Sequence, residues 1–183
     1  MKKLSLAILT LALLVLAASC NTDTNTESST PPPQGPINFT AQYIRTDGYH
    51  EGISYPIITV ISSADELENY YNKYKNIYDF ASRKDFTGDD TIGFSDAIEK
   101  YTEDYFAENF LVILILEEGS GSVRHNIFDV TPDGGIRFER KTPEMQTHDM
   151  AEWNILIEMK KSDKLPEYSP SFTYYTWTVC PIG

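Results

Sequence analysis

The chain has 183 residues and a formal net charge of −12, from 27 Asp and Glu against 15 Lys and Arg. That excess of negative charge makes nucleic acid and anionic lipid surfaces poor partners, and leaves cations, basic proteins and neutral ligands as candidates. The same charge also serves simply to keep a folded domain soluble.

The first element in chain order is a leader. Lys2 and Lys3 precede an apolar run from Leu4 to Ala18 that only Ser5 and Thr10 interrupt, and small residues follow up to Cys20. A basic start, a short apolar core and small residues before a cleavage point make a secretory signal over residues 1–19, and the run is too short to span a membrane. The string LAASC resembles the lipobox of bacterial lipoproteins, with Ala17 where Leu, Val or Ile is usual. The resemblance implies that Cys20 takes a diacylglyceryl group and becomes the mature N-terminus. The protein is then expected at the cell membrane, lipid-anchored on the extracytoplasmic side. With Cys20 acylated, Cys180 stands alone, so neither an internal disulfide nor a cysteine-based zinc site can form. Cys180 reads as a packed thiol in an apolar terminal stretch.

Residues 20–36 are polar, Ser/Thr-rich and then Pro-rich, and they have nothing to bury; they read as a disordered tether. Residues 37–183, roughly 147 in number, are enough for one globular domain with one hydrophobic core.

Within that domain FTAQYIRT (Phe39 to Thr46) and YPIITVIS (Tyr55 to Ser62) are rich in aromatic and β-branched residues and read as strands. Ser63 and Glu66 form a capping box, and Leu67, Tyr70, Tyr71, Tyr74, Ile77 and Tyr78 recur at helical spacing. This tyrosine stripe has the makings of a sugar-stacking platform, but it is also the helix's one apolar face, which favours core packing. Ala81 to Gly93 reads as a loop, and Ser95 caps a short helix, SDAIEKY. Phe110 to Leu116 are seven consecutive apolar residues, the pattern of a central strand covered on both faces.

Ser122 to Val130 reads as a strand with Val123, His125 and Ile127 on one side. TPDGG turns it into a hairpin with Ile136 to Lys141. In WNILIEMK, Trp153, Ile155, Ile157 and Met159 point inward, and Phe172 to Cys180 makes a last strand. Strands, then helices, then a run of strands predict an α+β fold with a mainly antiparallel sheet and helices packed on one face.

Two strings, NFLVILILEEGSGSVRHNIFDV and THDMAEWNILIEMKK, resemble a group of uncharacterised lipoproteins of Gram-positive bacteria, over about Tyr43 to Lys160. From about Phe106 to Lys160 the order of apolar strand, Gly-containing turn, strand and hairpin is similar to the C-terminal domain of PrcB-type protease-complex subunits. The resemblance implies a lipoprotein domain that associates with another protein, and it brings no catalytic motif.

The candidate chemistry lies in Glu117, Glu118, Ser120, Ser122, Arg124 and His125, at the end of the apolar strand, and in His148 and Asp149, just before another. If the two loops meet, Glu117, Glu118, His125, His148 and Asp149 have the ligand types for a divalent cation, although no metal-binding spacing supports one. Ser120 or Ser122 with His148 and Asp149 contains the residue types of a hydrolase triad, without a GxSxG elbow. A structural account is simpler: glycines for a tight turn, Arg124 paired with a glutamate, and His125 hydrogen-bonded in the core. The sequence thus favours a surface-tethered binding or accessory module for a protein, peptide or sugar, with no cofactor. An extracellular hydrolase or metal-dependent enzyme using EEGSGSVRH and THDM is the alternative.

Overall fold

The computed structural model describes residues 36–47, 50–81, 92–164 and 167–179. The leader, Cys20, most of the tether, much of the loop expected over Ala81 to Gly93, and Cys180 lie outside the described residues.

In chain order the elements are β1 (Phe39–Asp47), β2 (Ile57–Ile61), α1 (Ala64–Tyr74), α2 (Phe94–Ile98), α3 (Glu103–Glu108), β3 (Asn109–Glu118), β4 (Arg124–Val130), β5 (Gly135–Pro143), β6 (Ala151–Lys160) and β7 (Ser171–Val179). The fold is α+β and mostly antiparallel. Its strands form two sheets where the sequence predicted one: β1-β6-β3-β2, antiparallel throughout, and β4-β5-β7.

The apolar run of β3 explains the arrangement. Phe110 to Ile115 are fully buried on both faces of the strand, so each face needs a cover. Leu111, Ile113 and Ile115 join Leu156 and the helical residues Leu67, Tyr70, Tyr74, Phe94 and Phe106 in one core cluster. Phe110, Val112, Leu114 and Leu116 join Trp153, Ile155, Ile157 and Met159 of β6 and Ile127, Val130, Ile136 and Phe138 of the second sheet in another. Period-two alternation along two neighbouring strands therefore feeds two cores at once. Asn154, buried among these apolar residues, is tolerated because its amide donates to Thr46 Oγ1 at 2.9 Å and accepts from the Tyr70 hydroxyl at 3.2 Å.

The capping box forms with one shift. Ser63 Oγ accepts from the Glu66 amide at 3.1 Å, while the Glu66 carboxylate accepts from the amide of Ser62 rather than Ser63, at 2.7 Å. In α2 the cap is Gly93, and the Ser95 hydroxyl instead donates to the Phe80 carbonyl. The α3 helix, over residues that the sequence left without an element, is only six residues long, too short to show a periodicity.

β4 and β5 form the expected hairpin, with Gly134 at φ 106° and Ser169 backbone packed where a Cβ would stand. β7 then runs parallel to β5. The reason is the excursion between them. The chain leaves the smaller sheet after β5, crosses the larger one as β6, and returns after a second reversal pointing the same way.

Candidate functional site

The two loops singled out in the sequence meet. The Gly121 amide donates to the Asp149 carbonyl at 2.7 Å, and Arg45, from β1, forms an ion pair with the Asp149 carboxylate. Ser120 Oγ lies 2.7 Å from Ser122 Oγ and 3.0 Å from Thr147 Oγ1. A Cβ at position 121 would meet the ends of the Arg45 and Asp149 side chains, which would have to shift to admit it. Hydrogen bonds from Thr147 and then Arg45 hold the exposed Asp149 carboxyl well below the usual range. His148 is exposed and takes no part in this clasp. Neither serine is hydrogen-bonded to an imidazole: each hydroxyl is engaged with the other, and Ser120 with Thr147 as well.

Glu118 and His125 point the other way, into the core between the sheets. His125 Nε2 lies 2.8 Å from Glu118 Oε1, and Arg140 Nε and Nη2 donate to the same carboxylate at 2.5–3.0 Å. The His125 side chain is fully buried and that of Glu118 is 6% exposed. Burial pushes the Glu118 carboxyl up, but the hydrogen bonds from His125 and Arg140 outweigh it and hold the group below its ordinary value. The expected partner for a glutamate, Arg124, does something else. Its guanidinium donates to the carbonyls of Gly121 and Val123 at 2.6 and 3.0 Å and lies over the Trp153 ring. Arg124 is one residue from the loop and reaches back to it, whereas Arg140 is the direct cross-strand partner of His125. The inward sequence Ile136, Phe138, Arg140 carried that signal.

A third cluster was not legible. Glu152, fully buried, accepts on Oε1 from the Tyr55 hydroxyl at 2.7 Å and lies 2.7 Å from His50 Nδ1, while the Tyr78 hydroxyl sits 3.1 Å from that of Tyr55. Burial, the bond with Tyr78 and the nearby Glu152 carboxylate raise the Tyr55 hydroxyl well above its usual range. Glu152 is also the cross-strand partner of Glu117, so two carboxylates share one face of the larger sheet. His50 and Tyr55 come from the irregular segment between β1 and β2, where no periodicity aims a side chain.

Of these groups Tyr55, Glu117, Glu118 and Arg140 border a cleft of about 520 Å³ at the C-terminal end of β3, between Tyr55-Pro56 on one side and β5 and β7 on the other. Leu116, Phe138, Phe172 and Tyr174 supply its apolar wall, with Glu117, Glu118 and Arg140 as charged groups. Of the eight residues proposed from sequence, Glu117 and Glu118 line it. Ser120, Ser122 and Asp149 build the adjoining clasp, Arg124 braces that clasp, His125 supports Glu118 from behind, and His148 stands apart.

Among the described residues no group of three or more His, Cys, Asp or Glu side chains is arranged to hold a metal ion. No helix among them is long and apolar enough to cross a membrane. The chain matches no family model, no curated protein and no solved structure.

Proposed function

We propose that this is a surface-tethered bacterial lipoprotein whose domain is a binding or accessory module, with the ligand held in the cleft beside β7. The observation that carries the reading is the cleft itself: a concave space of about 520 Å³ with aromatic walls and a few fixed polar groups, the usual composition of a ligand site. We further read the three helices as one layer on the odd-numbered face of β3, which leaves the opposite core and its cleft to the second sheet. The hydrolase and metal-enzyme alternative is the weaker one. His125, one of two imidazoles bonded to a carboxylate, is sealed in the core, and neither Ser120 nor Ser122, the serines the triad reading needs, is hydrogen-bonded to an imidazole.

The leader, the LAASC string and the polar tether support the anchoring half of the proposal. Cells fed a clickable palmitate analogue should label the wild-type protein and leave Cys20→Ser unlabelled. An unlabelled wild-type protein released into the medium would overturn it.

For the cleft, Tyr174 is the residue to remove, since it is 54% exposed and its loss should spare the fold. Captures from native membranes with wild-type and Tyr174→Ala bait should differ by about tenfold or more for a ligand seated there, the effect of losing an aromatic anchor. Equal recovery by two baits that melt alike would place the ligand elsewhere.

A further inference from the structure

We infer that the exposed loop between β5 and β6 carries a site for a soft monovalent cation, Cu(I), whose ligands are the thioethers of Met145 and Met150 and the imidazole of His148. None of the three lines the cleft, so this site is additional to the cleft and does not depend on it.

Exposure is the first argument. Methionine ordinarily fills gaps in a core, and Met159 does so at 2% exposure, in the cluster with Phe110, Ile155 and Ile157. Met145 is 89% exposed and Met150 39%. His148 stands between them, exposed as well, and makes no hydrogen bond, ion pair or ring contact with any described residue. A single exposed methionine needs no explanation. Two of them flanking an unengaged histidine in one loop have a property in common, a soft or borderline donor atom left open to solvent.

The clasp is the second argument. Thr147 and Asp149 are both drawn to the 120–122 loop: Thr147 Oγ1 lies 3.0 Å from Ser120 Oγ and its amide donates to Ser122 Oγ at 3.4 Å, while the Asp149 carboxylate takes Arg45 and the Gly121 amide. Alternate residues of an extended chain face opposite ways. His148 and Met150 therefore turn away from the clasp, toward a common side, on a backbone that the clasp holds in place. Met145 precedes them at a bend over residues 144–145, and the rotatable bonds of its unbranched side chain let the sulfur swing toward the pair.

The donors select the ion. Thioether sulfur is a soft, uncharged ligand that favours Cu(I), and imidazole suits copper as well. Hard divalent cations take oxygen ligands, and Asp149, the carboxylate beside His148, is already committed to Arg45. Cu(I) has a filled d shell and accepts two or three ligands without a fixed geometry, a demand that a surface loop can meet. All three ligands are neutral, and the chain's net charge of −12 supplies the long-range attraction for a cation that they lack.

Ag(I), which matches Cu(I) in charge and softness and keeps its oxidation state, is the probe. The full-length Cys180→Ser protein, in neutral-detergent micelles and chloride-free buffer, is isotope-labelled at the methionine methyls and treated with N-ethylmaleimide so that no thiol competes. One equivalent of silver nitrate should move the Met145 and Met150 resonances together and leave that of the buried Met159 in place. Met145→Leu, Met150→Leu and His148→Ala should each weaken binding by about tenfold or more, with circular dichroism unchanged because all three side chains are exposed. Resonances that move independently, or an affinity that ignores His148→Ala, would mean that each sulfur meets silver separately, and the shared site is overturned. Zn(II) binding as tightly as Ag(I), with indifference to both leucine variants, would overturn it in favour of a histidine and carboxylate site. Methionine resonances unmoved by Ag(I) would end it.

Discussion

Glu118→Ala should destabilise the domain by about 3–5 kcal/mol, the usual result of removing one member of a buried, hydrogen-bonded charge group. The substitution strips Arg140 of its carboxylate and leaves the fully buried His125 without its Nε2 partner. Arg140 is 27% exposed and can turn partly toward water, which places the expected value in the lower half of that range. Glu118→Gln keeps the shape and an acceptor and should cost less. The two proteins also differ in pH response. Because the folded Glu118 carboxyl lies below its ordinary value, its contribution is fully present above the unfolded carboxylate range and is lost as pH falls through the folded value. Urea melts of wild type and Glu118→Gln should therefore be furthest apart near neutral pH and converge below about pH 4. A gap that is constant across this range would show that the carboxylate is not ionised in the folded protein.

Leu114→Ala should cost about 2–5 kcal/mol. Leu114 is fully buried in the centre of the larger sheet, opposite Ile58 on one neighbour and Ile155 on the other, and it packs toward the second sheet. Strands on both sides fix the backbone there, so the space left by three carbons cannot close easily. For a domain of this size each kcal/mol lowers the melting temperature by about 2–4 °C. A fall of at least 4 °C in a calorimetric scan is the expected result, and an unchanged melting temperature would mean that β3 is not the shared wall of two cores.

What the sequence made legible were patterns with a period. Phe110 to Leu116 announced a strand buried on both faces, Trp153 to Met159 announced alternation, and Ser63 with Glu66 announced where α1 begins; each is a local rule that the chain obeys without reference to distant residues. The division into two sheets was not legible, since nothing local says that β6 belongs with β3 while the strands on either side of it in sequence belong together. The candidate site divides along the same line. That the 119–122 and 147–149 loops adjoin strand ends could be read, but their clasp depends on Arg45, more than 70 residues earlier. Arg124 is the arginine nearer to Glu118 in sequence, but cross-strand register, which no local pattern reveals, makes Arg140 the carboxylate's partner. The His50, Tyr55 and Glu152 cluster was not legible: Tyr55, expected to open a strand, lies just before β2, His50 comes from an irregular segment, and Glu152 is the second residue of a strand whose alternation is read from its apolar residues.

The antiparallel pairing of β1 and β6 has a mechanical meaning. The chain enters the larger sheet at Phe39, opposite Met159, and the cleft opens at the other end, where Asp47, Ala151 and Glu118 lie abreast. Nine residues of strand, about 30 Å, run lengthwise between the point where the chain arrives and the place where a ligand would sit. A pull between the two acts along the strands, while the hydrogen bonds joining β1 to β6 lie across them. Those bonds are therefore loaded in shear, all together, instead of being opened one after another like a zip, and the domain resists such a load with the whole length of its edge strand.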